Sequence, residues 1–195
     1  MKKSFGCFIV GGALVLVLIL LSAYAVGRYN ALITASESID GAWAQVENVL
    51  QRRADLIPNL VETVKGFAAQ ERGIFEEIAE ARSRLIGAVG GIAGSPAAAA
   101  RADAALSSAL GRLLAIAEAY PDLKSNQNFI RLQDELAGTE NRIAVERRAY
   151  NDTVRLYNAS IKRFPTNIVA RFFTFEEREY FEASPGAEEV PKVEF

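Results

Sequence analysis

Phe5 to Val26 is a run of twenty-two residues without a charge, preceded only by the basic start Met1-Lys2-Lys3-Ser4. As an α-helix it spans about 33 Å at a rise of about 1.5 Å per residue, enough to cross the hydrocarbon core of a bilayer. A helix that is apolar on every face has no side to turn to water, so lipid is its natural surrounding. The competing reading is a cleavable signal peptide. Ala23-Tyr24-Ala25 has the small-x-small form of a cleavage site, yet the apolar region from Phe5 to Leu21 exceeds the usual length of about 7 to 15 residues. A retained single-pass anchor is therefore expected, in contact with the bilayer through residues 5–26, with secretion after cleavage near Ala25 as the alternative.

Charge sets the expected orientation. Lys2, Lys3 and the amino terminus lie on one flank, whereas Arg28 is the only basic residue in the first twenty on the other. The positive-inside bias predicts a cytoplasmic N-terminus and an extracytoplasmic remainder; the bias is small and leaves the inverted orientation open. Gly6, Gly11 and Gly12 form no Gly-x-x-x-Gly pair, so the anchor carries no signal for helix dimerisation. Cys7 lies inside the apolar run with six residues before it, and reads as apolar filler rather than as a lipidated cysteine.

The absent residues exclude as much as the present ones indicate. The chain has no histidine and a single cysteine. That removes internal disulfides, Cys/His zinc sites, Ser-His-Asp and Cys-His catalysis, and the Glu-x-x-His ligand pairs of di-iron bundles. No Asp-rich calcium loop is present. A net charge of −2 and a pI near 5.4 provide no basic field for nucleic acid, which is not expected as a partner. No catalytic, cofactor-binding or metal-binding residue is assigned, and no cofactor is implied.

Beyond the anchor, helical periodicity dominates. Leu32, Ser36, Ile39, Trp43, Val46, Leu50 and Arg53 fall at alternating spacings of three and four, the seam of a helix packed on helices. In Leu50 to Val61, Asp55 is placed to cap a new helix, Pro58 suits a first turn, and Ile57 is disfavoured from helical geometry by the proline after it. The expected reading is a helix end near Ala54 and a start near Leu56; one kinked helix is the alternative.

Leu60, Val64, Phe67, Glu71, Ile74, Ile78, Ala81 and Leu85 continue the spacing on a second helix antiparallel to the first, with Gly66 and Gly73 as mild weaknesses. Gly87, Gly90, Gly91, Gly94, Ser95 and Pro96 mark an interhelical link rather than a phosphate loop, which would need a preceding strand and a Gly-Lys-Ser/Thr ending. A third helix carries Leu106, Leu110, Leu113, Ile116 and Tyr120 and is stopped by Pro121, after which Asp122 is placed to cap the next. The fourth, about Leu123 to Lys162, shows Phe129, Leu132, Leu136, Ile143, Tyr150, Val154, Tyr157 and Ile161 on one face.

Gln133, Glu140, Asn141, Arg142 and Glu146 include residues near that face, as do Arg53 and Glu71 elsewhere. They read as ion pairs that set helix register or as water-facing groups, with carboxylate acid/base chemistry as the alternative. Phe164-Pro165 ends the bundle. Residues 171–195 hold seven acidic and three basic residues with Phe172, Phe173, Phe175, Tyr180, Phe181 and Phe195. So many aromatics do not suit a freely solvated tail, and it is expected to lie extended with its aromatics in grooves, or covered by a partner.

The chain resembles the LemA family over nearly its whole length. The resemblance rests on Tyr29-Asn30, Ala42 to Val46, Leu50 to Val61, Glu118 to Lys124, Glu140 to Ile143, Tyr150-Asn151 and Phe164-Pro165. It implies a bacterial, membrane-anchored protein with an antiparallel four-helix bundle. Together with the residue patterns above, the expected chain is all-α: an N-terminal transmembrane helix (1–27), the bundle (28–170) and an extended C-terminal tail (171–195). The resemblance implies no established enzymatic activity or cofactor, and an association with membrane and envelope functions that include magnetosome formation. The function these readings favour is a cell-envelope scaffold or adaptor in the cell membrane that holds an unidentified membrane or envelope protein partner above the bilayer. The alternatives are a small-ligand-binding module and an enzyme using carboxylates such as Glu71, Glu140 or Glu146.

Overall fold

The computed structural model describes residues 2–90 and 95–181, with side chains from residue 11 onward. All regular structure among them is helical: α1 (Lys2–Lys65), α2 (Arg72–Gly90), α3 (Pro96–Ala117), α4 (Pro121–Lys124), α5 (Gln127–Lys162) and α6 (Thr166–Phe172). The chain divides into two compact units, one formed by Met1–Asp40 with Thr153–Arg178, the other by Gly41–Asp152 with Glu179–Phe195.

In the first unit, α1 begins with the apolar run, and Leu14 to Leu21 stand between 51% and 61% exposed. None of the described residues covers this surface, and its length and composition suffice to cross a membrane. Burial starts at Leu32 and continues at Ile39, and in the same unit Val154, Tyr157 and Ile161 of α5 and Val169 and Ala170 of α6 are buried. The helix α6 ends in a Schellman arrangement. Phe175 N–H donates to Ala170 O at 2.9 Å, Thr174 N–H donates to Arg171 O at 3.4 Å, and Thr174 takes the left-handed conformation, φ 56°. The chain then runs extended to Arg178. There Asn158 of α5 accepts from the Arg178 N–H and donates to its carbonyl, both at 2.9 Å, while the Arg178 guanidinium reaches Asp40 at 2.8 Å and Ser36 at 3.1 Å.

The second unit buries a longer seam. Val46, Leu50, Ala54, Ile57, Leu60 and Val64 of α1 are inaccessible, as are Ile78 and Leu85 of α2, Leu106 and Leu113 of α3, and Phe129 and Ile143 of α5. Helices α2 and α3 pack along one another, linked on the surface by Arg112 and Glu77. Ser95 caps α3, its Oγ accepting from Ala98 N–H at 3.2 Å, with Pro96 in the first turn. Asn126 does the same for α5, its Oδ1 accepting from the N–H groups of Asn128 and Phe129.

Three expectations are corrected. The break expected between Ala54 and Leu56 does not occur: α1 runs unbroken to Lys65 with Pro58 inside it. A proline in a helix removes the N–H that would bond the carbonyl four residues back, here Ala54 O. Arg82 of α2 supplies the missing donor, its Nε giving a hydrogen bond to Ala54 O at 2.7 Å. The break between α1 and α2 falls instead at 66–71, and the apolar seam passes through the proline without changing phase. Likewise the fourth long helix starts at Gln127 rather than Leu123, which sits in the separate α4, and Asn126 rather than Asp122 caps it. Arg171 and Phe172, assigned to the extended tail by sequence, close α6.

The proline compensation makes a specific prediction. Arg82→Ala strands a buried carbonyl and should destabilise the detergent-solubilised protein by about 1–3 kcal/mol. In a Pro58→Ala background, where the helix supplies its own N–H, the same change should cost less. Chemical denaturation of the four proteins as a double-mutant cycle measures the coupling.

Candidate functional site

Arg53 is the charged residue that the seam spacing places among apolar ones, and it is buried, 5% exposed. A guanidinium cannot be left uncompensated in such a place. Its Nη1 lies 2.7 Å from Asp103 Oδ1 on α3 and 2.7 Å from Glu140 Oε2 on α5. Asp103 is as buried as Arg53, whereas the Glu140 side chain is about half exposed. Arg53 Nε is buried without a hydrogen-bond partner. Three helices thus meet at one cation and two carboxylates.

Burial pushes the Asp103 carboxyl above its ordinary value of 3.8, the nearby Arg53 charge opposes that, and Glu140 adds to the rise. Beside the cluster, Arg53, Ser107, Gln133 and Glu140 share a groove of about 290 Å³ with Leu60, Leu110, Leu114 and Leu136. The groove is mainly apolar, with Gln133 and Glu140 among its polar members.

Among the residues flagged by sequence, the structure joins Arg53 to Glu140 and brings Gln133 to the same groove. Glu71 is elsewhere, accepting from the Tyr120 hydroxyl at 3.4 Å, while that hydroxyl accepts from Gln70 at 2.7 Å. Glu146 is half-buried, and Asn141 and Arg142 are exposed. Asp103 was missed, although a signal existed. The α3 seam of Leu106, Leu110 and Leu113, extended back by three residues, falls on Asp103, a carboxylate on an otherwise apolar stripe.

A second feature of this unit is the seat of the tail. Phe181 is 1% exposed, its ring centroid 6.2 Å from Trp43, with the Arg147 guanidinium 4.6 Å from its own centroid. Trp43 also meets Tyr150, 5.4 Å away. Asn151 accepts from the Phe181 N–H at 2.8 Å and donates to its carbonyl at 2.9 Å, and the Tyr150 hydroxyl donates to Glu179 O at 2.8 Å. The expected pinning of tail aromatics thus holds for Phe181. Phe172 does not follow it, being 80% exposed, and Phe195 lies outside the described residues.

An all-helical protein with an uncovered apolar N-terminal run and a buried Arg-carboxylate cluster defines a structural class before it defines a family. The model of the LemA family matches residues 42–195, and the chain belongs to that family. It is 31% identical over 182 residues to the magnetosome proteins MamQ 1 and MamQ 2 of Paramagnetospirillum magneticum, covering 83% of this chain and 67% of each relative. The Protein LemA of Metamycoplasma hominis is 26% identical over 159 residues, covering 82% of this chain and 71% of the relative.

The two carboxylates of the cluster should differ in effect. Asp103→Ala removes a buried partner of a buried cation and should cost about 3 kcal/mol or more; Glu140→Ala, at a half-exposed position, should cost about 1 kcal/mol or less. Because the folded chain holds the Asp103 proton more tightly than the unfolded chain, this group's contribution is fully present below pH 3.8 and is lost as pH rises through the raised value. Unfolding curves across acidic pH should therefore show wild type losing stability relative to Asp103→Asn as pH increases.

Proposed function

We propose that this protein is a single-pass, membrane-anchored scaffold or adaptor of the bacterial cell envelope, without catalysis of its own. The observation that carries the reading is that one uninterrupted helix, α1, contains both the uncovered apolar run and Arg53. A helix committed to lipid at one end and to a packed helical unit at the other is a mount. In this reading residues 1–27 form the anchor, 28–172 an antiparallel four-helix bundle closed by α6, and the chain beyond Phe172 a tail. The names of the relatives, magnetosome proteins among them, describe a cellular location rather than a reaction, which suits a structural component. The partner is a membrane or envelope protein.

Crosslinking in intact membranes followed by mass spectrometry should recover a reproducible protein neighbour; its repeated absence would sink the adaptor reading. A second reading, a small-ligand-binding module, is favoured by the groove beside Arg53 and its unpartnered Nε. It takes precedence if a neutral apolar ligand co-purifies with wild type and is lost from a groove-filling Gly111→Leu variant.

The orientation we propose has the N-terminus in the cytoplasm and the chain from about Arg28 outside, supported by Lys2 and Lys3 against Arg28. Protease added to intact spheroplasts should then digest the exposed chain. Protection until the membrane is opened would establish the inverted orientation.

A further inference from the structure

The most exposed aromatic side chains of the described residues lie around α6. Phe164 is 79% exposed, Phe172 80%, Ile168 60% and Phe173 45%. Ile168 and Phe172 are four residues apart and so share one face of α6, while Val169 and Ala170 are buried on another. Large apolar side chains left uncovered together mark a surface that meets something. The flanking Arg163 and Arg171 are exposed as well.

The position of this face identifies what it meets. The Phe173 ring lies 4.7 Å from Tyr29, Phe175 lies 5.7 Å from Tyr29, and Phe172 stacks edge-on against Phe173 at 5.0 Å. Tyr29 is three residues beyond Val26, the end of the uncharged run, which is about 4.5 Å along a helix. Each headgroup layer of a bilayer is about 5–8 Å thick, so the cluster falls within it if the run spans the membrane. Tyr24 and Arg28 at the same boundary carry the signature of that layer. The Arg28 Nε donates to the Tyr24 hydroxyl at 3.0 Å and the guanidinium lies 5.1 Å from the Tyr24 ring centroid.

We infer that α6 is a second, interfacial membrane contact: Phe164, Ile168 and Phe172 enter the headgroup and upper acyl region of the bilayer, with Arg163 and Arg171 at the level of the lipid phosphates. The occupant of this face is the lipid surface continuous with the one around α1. Apolar side chains gain by leaving water, and arginines at the rim gain from anionic lipid. The inference rests on the membrane-spanning reading of residues 5–26. It goes beyond that reading, because an anchor alone does not require a second element of the chain to touch the membrane.

Full-length protein in vesicles of phosphatidylcholine with a minority of phosphatidylglycerol allows the test. Cys7→Ser removes the single native cysteine, and nitroxide labels are placed singly at Leu18→Cys, Ile168→Cys, Phe172→Cys and Val145→Cys. Relaxation by lipid-soluble oxygen is compared with that by an aqueous nickel chelate. The expected result is oxygen-dominated relaxation at 18, 168 and 172, and nickel-dominated relaxation at 145, a position 64% exposed on α5. Lipid contact at 18 with nickel-dominated relaxation at 168 and 172 overturns the interfacial contact and leaves the anchor standing. Nickel-dominated relaxation at 18 overturns the anchor itself. Shielding of 168 and 172 from both relaxants indicates a protein contact and also overturns the inference. All four labels replace exposed side chains, so folding does not depend on them.

Discussion

A guanidinium inside an apolar seam must be neutralised where it stands, and in this protein the requirement recruits three helices at once. Arg53 of α1 is buried, Asp103 of α3 meets it at 2.7 Å, and Glu140 of α5 meets the same nitrogen at 2.7 Å. Apolar contacts tolerate a shift of one helix turn, because one leucine can replace another. An Arg-carboxylate pair does not, since sliding either helix leaves a charge buried alone at a cost of several kcal/mol. The cluster is better understood as the device that fixes which turn of α3 and α5 lies beside which turn of α1 than as a net source of stability. Its unpartnered Nε and the adjoining groove follow from that arrangement.

A parallel argument applies at Pro58. A helix that loses one backbone donor must end, bend or borrow a donor, and Arg82 provides the third solution at Ala54 O. The proline, aspartate and leucine at 55–58 carry a helix-start signal that is locally sound. What sequence did not reveal was a donor twenty-eight positions away. The continuous phase of Leu50, Ala54, Ile57, Leu60 and Val64 did carry the answer, because a new helix would not inherit the seam of the old one. The turn went to Gly66, where a weak helix former follows the last seam residue.

The legibility of the rest follows the same division between local and distant causes. Apolar periodicity identified the seams of α1, α2, α3 and α5, since burial at fixed spacing is a property of each helix alone. Arg53 and Glu140 were visible as polar residues on or near those seams, but their pairing was not. Asp103 sits in an alanine-rich stretch where almost any register looks apolar enough, so its place on the stripe carried little contrast. The short α6 was hidden because seven residues give less than two full periods, and its exposed Ile168 and Phe172 break the usual rule that apolar means inside.

The tail shows how an extended strand can be fixed without a sheet. An isolated strand leaves every N–H and C=O in need of a partner. At Phe181 that partner is Asn151, whose amide both accepts and donates, and at Arg178 it is Asn158 in the same manner. A carboxamide carries a donor and an acceptor side by side in one plane, as a peptide group does, which makes it a substitute for the backbone of a neighbouring strand. Because these contacts read the main chain, they place few demands on side-chain identity, and a polar, acidic segment can be held by them. The demand that remains falls on Phe181, which must fill the space beside Trp43 and Tyr150. Tyr150-Asn151, adjacent on α5, therefore act as one unit: the hydroxyl takes the Glu179 carbonyl, the amide takes both groups of Phe181, and neither role is visible from the helix's own periodicity.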